Sequence, residues 1–338
     1  LSGKRPERGK TGKKVGPPKE GFFQKKLVQR KQDMSMRSTI VPEPALGLDE
    51  VGIPRGPALE VYKPFVVREL RNLTGVTPLQ AQEMINKGGP MVNRALDRVV
   101  TDRPLLMKRD PALHKYNVQA FKPRIVSGKA VQIHPLVTSG FNADFDGDTM
   151  GAFVPISSEA VEEARKMYPS RNLFSPATGN LMYTPTLETQ LGLYGATKEG
   201  KRTGKSFKDI KEVERAMRKG EVGFSDQVKV GGLSATPGRF MIAGALPADM
   251  RKDFLRRKEP LTGKRQQELL TSVAKKHRNS YGEVVNKLKD LGNQWSTDTA
   301  FSLGLEDIKP EKSIRDPILA RADREVKRLT GTKAQKEA

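Results

Sequence analysis

The stretch Asn142-Ala143-Asp144-Phe145-Asp146-Gly147-Asp148 constrains the folding of this chain more than any other. Three carboxylates stand at i, i+2 and i+4, and Gly147 lets the backbone turn tightly between the second and the third. In an extended segment, residues two apart share a face, so the three side chains can converge on one point. Carboxylates that close repel one another unless a cation offsets their charge. Hard oxygen donors, with no His or Cys interleaved, suit Mg²⁺ better than zinc. Apolar residues flank the cluster, with Ile133, Leu136 and Val137 before it and Phe153, Val154 and Ile156 after it. These flanks are expected to place it inside a folded core.

Two other readings compete. Asp-Gly is a common turn dipeptide, so spacing alone leaves a solvated Asp-rich turn open. The apolar flanks favour the metal site, because a solvated turn rarely sits within a core. A calcium loop would use Asp144, Asp146 and Asp148 as its first three ligands, but it also needs a Gly and then a bidentate Glu at fixed later positions. Those positions hold Thr149 and Pro155, so the calcium loop fails.

Composition narrows the partner. The chain has 338 residues, enough for two or three domains, and its 61 Lys and Arg exceed its 39 Asp and Glu by 22. A surplus that large implies a polyanionic partner, with nucleic acid the first candidate. A membrane surface attracts such a charge too, but there is no basic amphipathic helix with a bulky apolar face and no apolar run of roughly eighteen residues. With no cysteine, disulfides and thiolate zinc sites are excluded, and a reducing cytoplasm is compatible. His114, His134 and His277 are too few for a histidine metal cluster. No signal peptide is visible, and a start at Leu1 rather than Met is expected of a fragment or processed product.

The residues also carry a resemblance. Asn-Ala-Asp-Phe-Asp-Gly-Asp resembles the active-site signature of the largest (β′-type) subunit of multisubunit DNA-dependent RNA polymerases, with Thr149-Met150 where bacterial enzymes usually have Gln-Met. Lys108-Arg109-Asp110-Pro111-Ala112-Leu113-His114 is similar to the family's Asn-Arg-x-Pro-x-Leu-His segment, with Lys108 replacing Asn. Gly21 to Ser38 resembles the segment that touches template DNA, with Arg30, Lys31, Asp33, Ser35, Arg37 and Ser38 fitting its pattern. Arg171 to Gly179 is similar to the stretch opening the pore domain, and Thr236-Pro237-Gly238-Arg239 resembles an element that precedes an apolar strand, here Phe240-Met241-Ile242. The following Pro-Ser-Gln-Asp of the family appears as Pro185-Thr186-Leu187-Glu188, so contacts of that Gln do not carry over. The resemblance covers roughly residues 22–308 and is densest at 104–150.

What this resemblance implies is specific. The fold class is α+β: a double-psi β-barrel with helical insertions, followed by a mixed, mainly helical pore or funnel-type domain. Asp144, Asp146 and Asp148 hold the catalytic Mg²⁺, and a second Mg²⁺ arrives with the nucleoside triphosphate. Arg109 and Asn142 reach the nucleotide's sugar, while Arg30, Lys31 and Arg37 contact nucleic acid. The implied activity is nucleotidyl transfer from a nucleoside triphosphate to the RNA 3′ end on a DNA template. It would require a β-type subunit and the remaining β′ pieces, in the cytoplasm of a bacterium or a virus-infected cell. Clamp and zinc-ribbon cysteines, a bridge helix and a trigger loop are not found, so a viral-type split subunit or an excised fragment is expected. The alternative from another class is a non-catalytic basic nucleic-acid-binding protein in which the Asp triplet is incidental.

Local signals divide the chain. Residues 1–20 read as a flexible basic arm, being Lys, Arg, Gly and Pro with almost nothing apolar to bury. Residues 21–167 form the barrel domain, with a helical insertion at about 57–100 in which Thr77-Pro78-Leu79-Gln80 spells a helix start. Short strands are expected at 38–42, 48–54, 118–121, 124–126 and 130–137, and a Ser-capped helix at 158–167. Residues 168–308 form the pore or funnel-type domain, with a helical insertion at 198–232 whose charges are a solvated face. Helices are expected over 264–291, and a charged helix and tail over 309–338.

Overall fold

The computed structural model describes residues 32–300, 302 and 304–337. The basic arm, Arg30 and Lys31 lie outside the described residues.

Six strands close into a barrel in the order β1-β5-β2-β4-β3-β6. They are β1 (Ser35–Pro42), β2 (Glu50–Pro54), β3 (Leu105–Arg109), β4 (Val118–Val126), β5 (Val131–Ile133) and β6 (Thr149–Phe153). Two pairings are parallel, β1 with β5 and β2 with β4, and the other four are antiparallel. Ile40, Val51, Ile53, Leu105, Met107, Phe121, Val131, Ile133 and Met150 fill the interior, each essentially inaccessible to solvent. The architecture is the expected α+β one.

Strand lengths differ from the sequence reading in two places. Two strands had been expected around Pro123, but β4 runs straight through it. Pairing with β3 ends at Phe121, so one edge of β4 is free at Pro123 and the missing N–H breaks no ladder there. The strand expected at 130–137 stops at Ile133, where Pro135 starts a 3₁₀ turn capped by His134.

Between β2 and β3 four helices cover the barrel: α1 (Arg55–Val61), α2 (Lys63–Thr74), α3 (Pro78–Lys87) and α4 (Pro90–Asp102). Thr77 and Gln80 form the reciprocal cap that the sequence spells. Short α5 (Thr138–Phe141) precedes β6, and α6 (Ser158–Lys166) follows it under the Ser157 cap.

Beyond residue 168, α7 (Leu187–Thr197), α9 (Pro237–Ala245), α10 (Ala248–Arg256), α11 (Gly263–Lys276) and α12 (Tyr281–Thr299) pack together, with α13 (Lys312–Glu337) after them. Helices α7 and α12 touch through backbone: a Cβ on Gly192 would run into the carbonyl of Gly292. One hydrophobic core continues from the barrel into these helices, through Tyr183, Leu193 and Tyr281.

The 198–232 insertion is not mainly helical. It holds β7 (Arg202–Phe207) and β8 (Gln227–Val230), which join β9 (Leu233–Ala235) in a three-stranded sheet, and a single helix, α8 (Ile210–Arg218). Residues 240–242 are not a strand either, but the middle of α9. Thr236 accepts a hydrogen bond from Arg239 N, and Pro237 sits in the first turn, the same start signal as at Thr77-Pro78. A short apolar run cannot distinguish strand from helix, and the cap decides. No helix among the described residues is long and apolar enough to cross a membrane.

Candidate metal centre

The three aspartates lie on the loop between α5 and β6. One ligand oxygen from each of Asp144, Asp146 and Asp148 falls within 4.8 Å of the others. They meet because the loop curls, not because it is an extended strand, and Gly147 makes the curl at φ +117°. The position also differs from expectation. Asp144 and Asp146 are exposed and Asp148 is partly buried, so the cluster sits at the surface. Of its apolar flanks, Ile133, Leu136, Val137 and Val154 are in the core, whereas Phe153 and Ile156 are exposed.

Both ends of the loop are held. Asn142 ends α5 in the left-handed conformation (φ 51°), which Asn tolerates better than most residues. At the other end, Asp148 O accepts from Ile40 N of β1 at 3.0 Å, and the next residue enters β6. Strand β6 lies between β1 and β3, with Arg37 opposite Gly151 on one side and Arg109 opposite Met150 on the other. The ladder thus brings two arginines to the loop. Arg109 Nε donates to Asp148 Oδ2 at 2.9 Å, and Asp144 N donates to the same oxygen at 3.3 Å. Arg37 is exposed and donates to Thr149 Oγ1 at 2.9 Å. The side chain of Asn142 is exposed two residues ahead of Asp144. Lys108, which replaces the family's Asn, pairs with Asp110 at 2.8 Å.

The electrostatics are uneven. The Arg109 guanidinium and the Asp144 amide hold the Asp148 carboxyl below the usual carboxylate range. Asp144 moves the other way, raised by its hydrogen bond with Asp146 and by the nearby carboxylates. One member is kept charged while another resists charging, which is how acidic groups behave when they share a site. An all-oxygen donor set on an exposed loop fits a hard divalent cation such as Mg²⁺.

Beneath the loop lies a buried polar layer that the motif reading missed. Asn117, 1% exposed, accepts from Leu113 N and His114 N and donates through Nδ2 to Phe141 O at 2.9 Å. It ties the turn after Arg109 to the residue before Asn142. Gln119, equally buried, donates to Tyr116 O and accepts from the Tyr183 hydroxyl at 2.8 Å. Burial pushes the Tyr183 phenol up, keeping it protonated to donate. Gly140 lies against this pair, where a Cβ would clash with Gln119. A lone amide in the apolar strand Val118-Gln119-Ala120-Phe121 was the available signal. The exposed His114 accepts at Nδ1 from Tyr116 N.

Residues 72–169, which include Arg109, Asn142 and all three aspartates, match the family described as RNA polymerase Rpb1, domain 2. The chain carries a largest-subunit-type RNA polymerase domain. Proteins called DNA-directed RNA polymerase subunit beta′ are similar along most of it. That of Fusobacterium nucleatum is 35% identical over 324 residues, which is 92% of this chain and 24% of the relative. The relative from Saccharopolyspora erythraea is 34% identical over 340 residues, 92% of this chain and 26% of its own length. That of Thermobifida fusca is 33% identical over 341 residues, with the same two shares. The polymerase domain and the helices after it therefore span about a quarter of the length of these relatives. The closed barrel is the double-psi barrel of this polymerase domain.

Proposed function

We propose that this chain supplies the catalytic carboxylates of a DNA-directed RNA polymerase. The reaction is nucleotidyl transfer from a nucleoside triphosphate to the RNA 3′ end on a DNA template. One observation carries the reading: three carboxylates converge within 4.8 Å, beside Arg109, inside the stretch that matches the polymerase family.

Asp144, Asp146 and Asp148 hold the metal, with Arg109 and the Asp144 amide fixing Asp148 by one oxygen. When bound, one Mg²⁺ on these oxygens and a second brought by the nucleotide lower the pKa of the RNA 3′-hydroxyl and offset charge on the departing pyrophosphate. Asn142 presents an amide that both donates to and accepts from a ribose hydroxyl, and Arg109 is assigned to the same sugar. Arg37, exposed on β1, is assigned to a template phosphate, which a guanidinium suits. Arg30 and Lys31 are assigned to the same strand by the sequence pattern.

Turnover requires positioning of two substrates as well as metal, and orientation is worth several orders of magnitude. The working enzyme is therefore an assembly with a β-type subunit and the remaining β′-type segments. The test is primer extension on an RNA–DNA scaffold by the complex purified from its source, with the wild-type chain and with Asp146→Ala. Extension is expected to fall by at least about a thousandfold, in line with losing a principal transition-state charge stabiliser. An active Asp146→Ala complex would overturn the assignment.

A further inference from the structure

A second charged feature lies on elements that the Asp loop does not use. The sheet β7-β8-β9 buries one face, through Val228 and Ala235, against Ala216 of α8 and Phe240 of α9. Its other face is exposed and basic. Ser206, Lys229 and Ser234 stand opposite one another across the three strands, and Arg202 pairs with Gln227 further along. The register shifts between Arg202 and Ser206, at a Gly204 with φ +70°. Such irregularities re-aim side chains and gather at binding sites. Here the shift leaves Arg202, Gly204 and Lys205 all exposed on one strand.

Lys258 completes the feature from outside the sheet. It belongs to the turn after α10, which the buried Arg239 holds by donating to the carbonyls of Arg257, Lys258 and Glu259. A guanidinium locked by three successive carbonyls makes that turn rigid, so Lys258 is set beside the sheet. A cleft of about 270 Å³ results, lined by Arg202, Lys205, Lys229, Lys258, Ser234 and Glu199. Lys205 leans toward Glu221 at 3.8 Å, whereas Arg202, Lys229 and Lys258 form no ion pair among the described residues.

Four cations around one cleft with a single carboxylate repel each other unless an anion enters. The lining contains no aromatic ring, so bases have nothing to stack on, whereas lysines, an arginine and a serine hydroxyl all suit phosphate oxygens. The volume is below the roughly 300–1,000 Å³ of pockets that enclose a whole ligand, and suits a strand passing through. We infer that the cleft between β7, β8 and the Lys258 turn grips the phosphate backbone of a single-stranded nucleic acid, independently of its sequence.

The experiment measures binding of a labelled oligouridylate of about twelve nucleotides to the full chain by fluorescence anisotropy across a salt series. The variant is the triple Arg202→Gln, Lys229→Gln, Lys258→Gln. Affinity at low salt should fall by about tenfold or more, and the log–log salt slope should shrink by about 2, three phosphates at roughly 0.7 each. Lys229→Arg with Lys258→Arg should bind like the wild type, which separates lost charge from lost fold. The same drop is expected in an Asp146→Ala background, so the result does not depend on the catalytic assignment. An unchanged affinity and slope in the triple variant would overturn the inference. So would a wild-type chain whose cleft, by the same three residues, takes an oligoglutamate peptide or inorganic phosphate but not the oligonucleotide.

Discussion

Arg109 and Arg239 occupy opposite kinds of place. Arg109 is partly exposed and shares a carboxylate with a loop amide at the edge of the candidate site. Arg239 is 2% exposed, forms no ion pair among the described residues, and spends its guanidinium on backbone carbonyls from Thr197, Phe254 and the 257–259 turn. Burial lowers its pKa, a cost that the carbonyls offset. The contrast teaches where each region keeps its freedom. The Asp loop leaves charge unbalanced and open to solvent, so a ligand can complete it. Arg239 is itself complete and only fixes the backbone around it, leaving any binding there to neighbouring side chains such as Lys258.

That comparison is sharpest in stability. Arg239→Met leaves several buried carbonyls without donors and should cost about 3–5 kcal/mol, read from urea unfolding. A loss under about 1 kcal/mol would mean the carbonyls find other partners. Next comes His134, buried against Lys289 and Asp290 of α12, with its pKa pushed down to about 4, mainly by desolvation. The unfolded chain takes up a proton near pH 6.5 that the folded chain refuses until about pH 4. Stability is therefore full above about 6.5 and declines as pH falls through that window, by about 3 kcal/mol for this group. His134→Gln should flatten the pH dependence of the urea midpoint between pH 7 and 4.5, and an unflattened profile would remove His134 as its source.

Asn117→Ala should cost about 2 kcal/mol, since it strands two amide donors and the Phe141 carbonyl. It should also weaken Mn²⁺ binding, detected by paramagnetic broadening, because the loop loses its tie to the Arg109 turn. Normal Mn²⁺ affinity in a destabilised protein would make Asn117 a purely structural residue. The smallest stability effect belongs to the site itself. Asp146→Ala removes an exposed like charge and should change stability by less than about 0.5 kcal/mol, in either direction, while abolishing Mn²⁺ binding. A large loss of stability there would erase the contrast between the two regions.

The sequence was legible where local chemistry had one solution. The convergence of the three Asp side chains, the Thr77 cap and the helical character of the insertion at about 57–100 followed from spacing and cap residues. The α9 error came from carrying the apolar strand of the resembled family onto residues 240–242 in spite of a Thr-Pro start like the one at Thr77. The 198–232 error had another cause: its strands are short, charged and half exposed, and only pairing across the sheet makes them strands. Burial of the Asp cluster was misjudged because flanking strands fill the core while the loop between them need not. The tie made by Asn117 was illegible, since it joins residues 24 apart through one side chain.

The placement of β6 has a consequence for how the site keeps its shape. This strand pairs along its length with β1 and along nearly all of it with β3, in a sheet without ends. Sliding it by one residue would break two ladders together and turn every side chain to the opposite face. Asp148 is the residue just before that strand, so its distance from Arg109 is measured off by the barrel as a ruler would measure it. The loop need only curl, because the sheet has already done the counting.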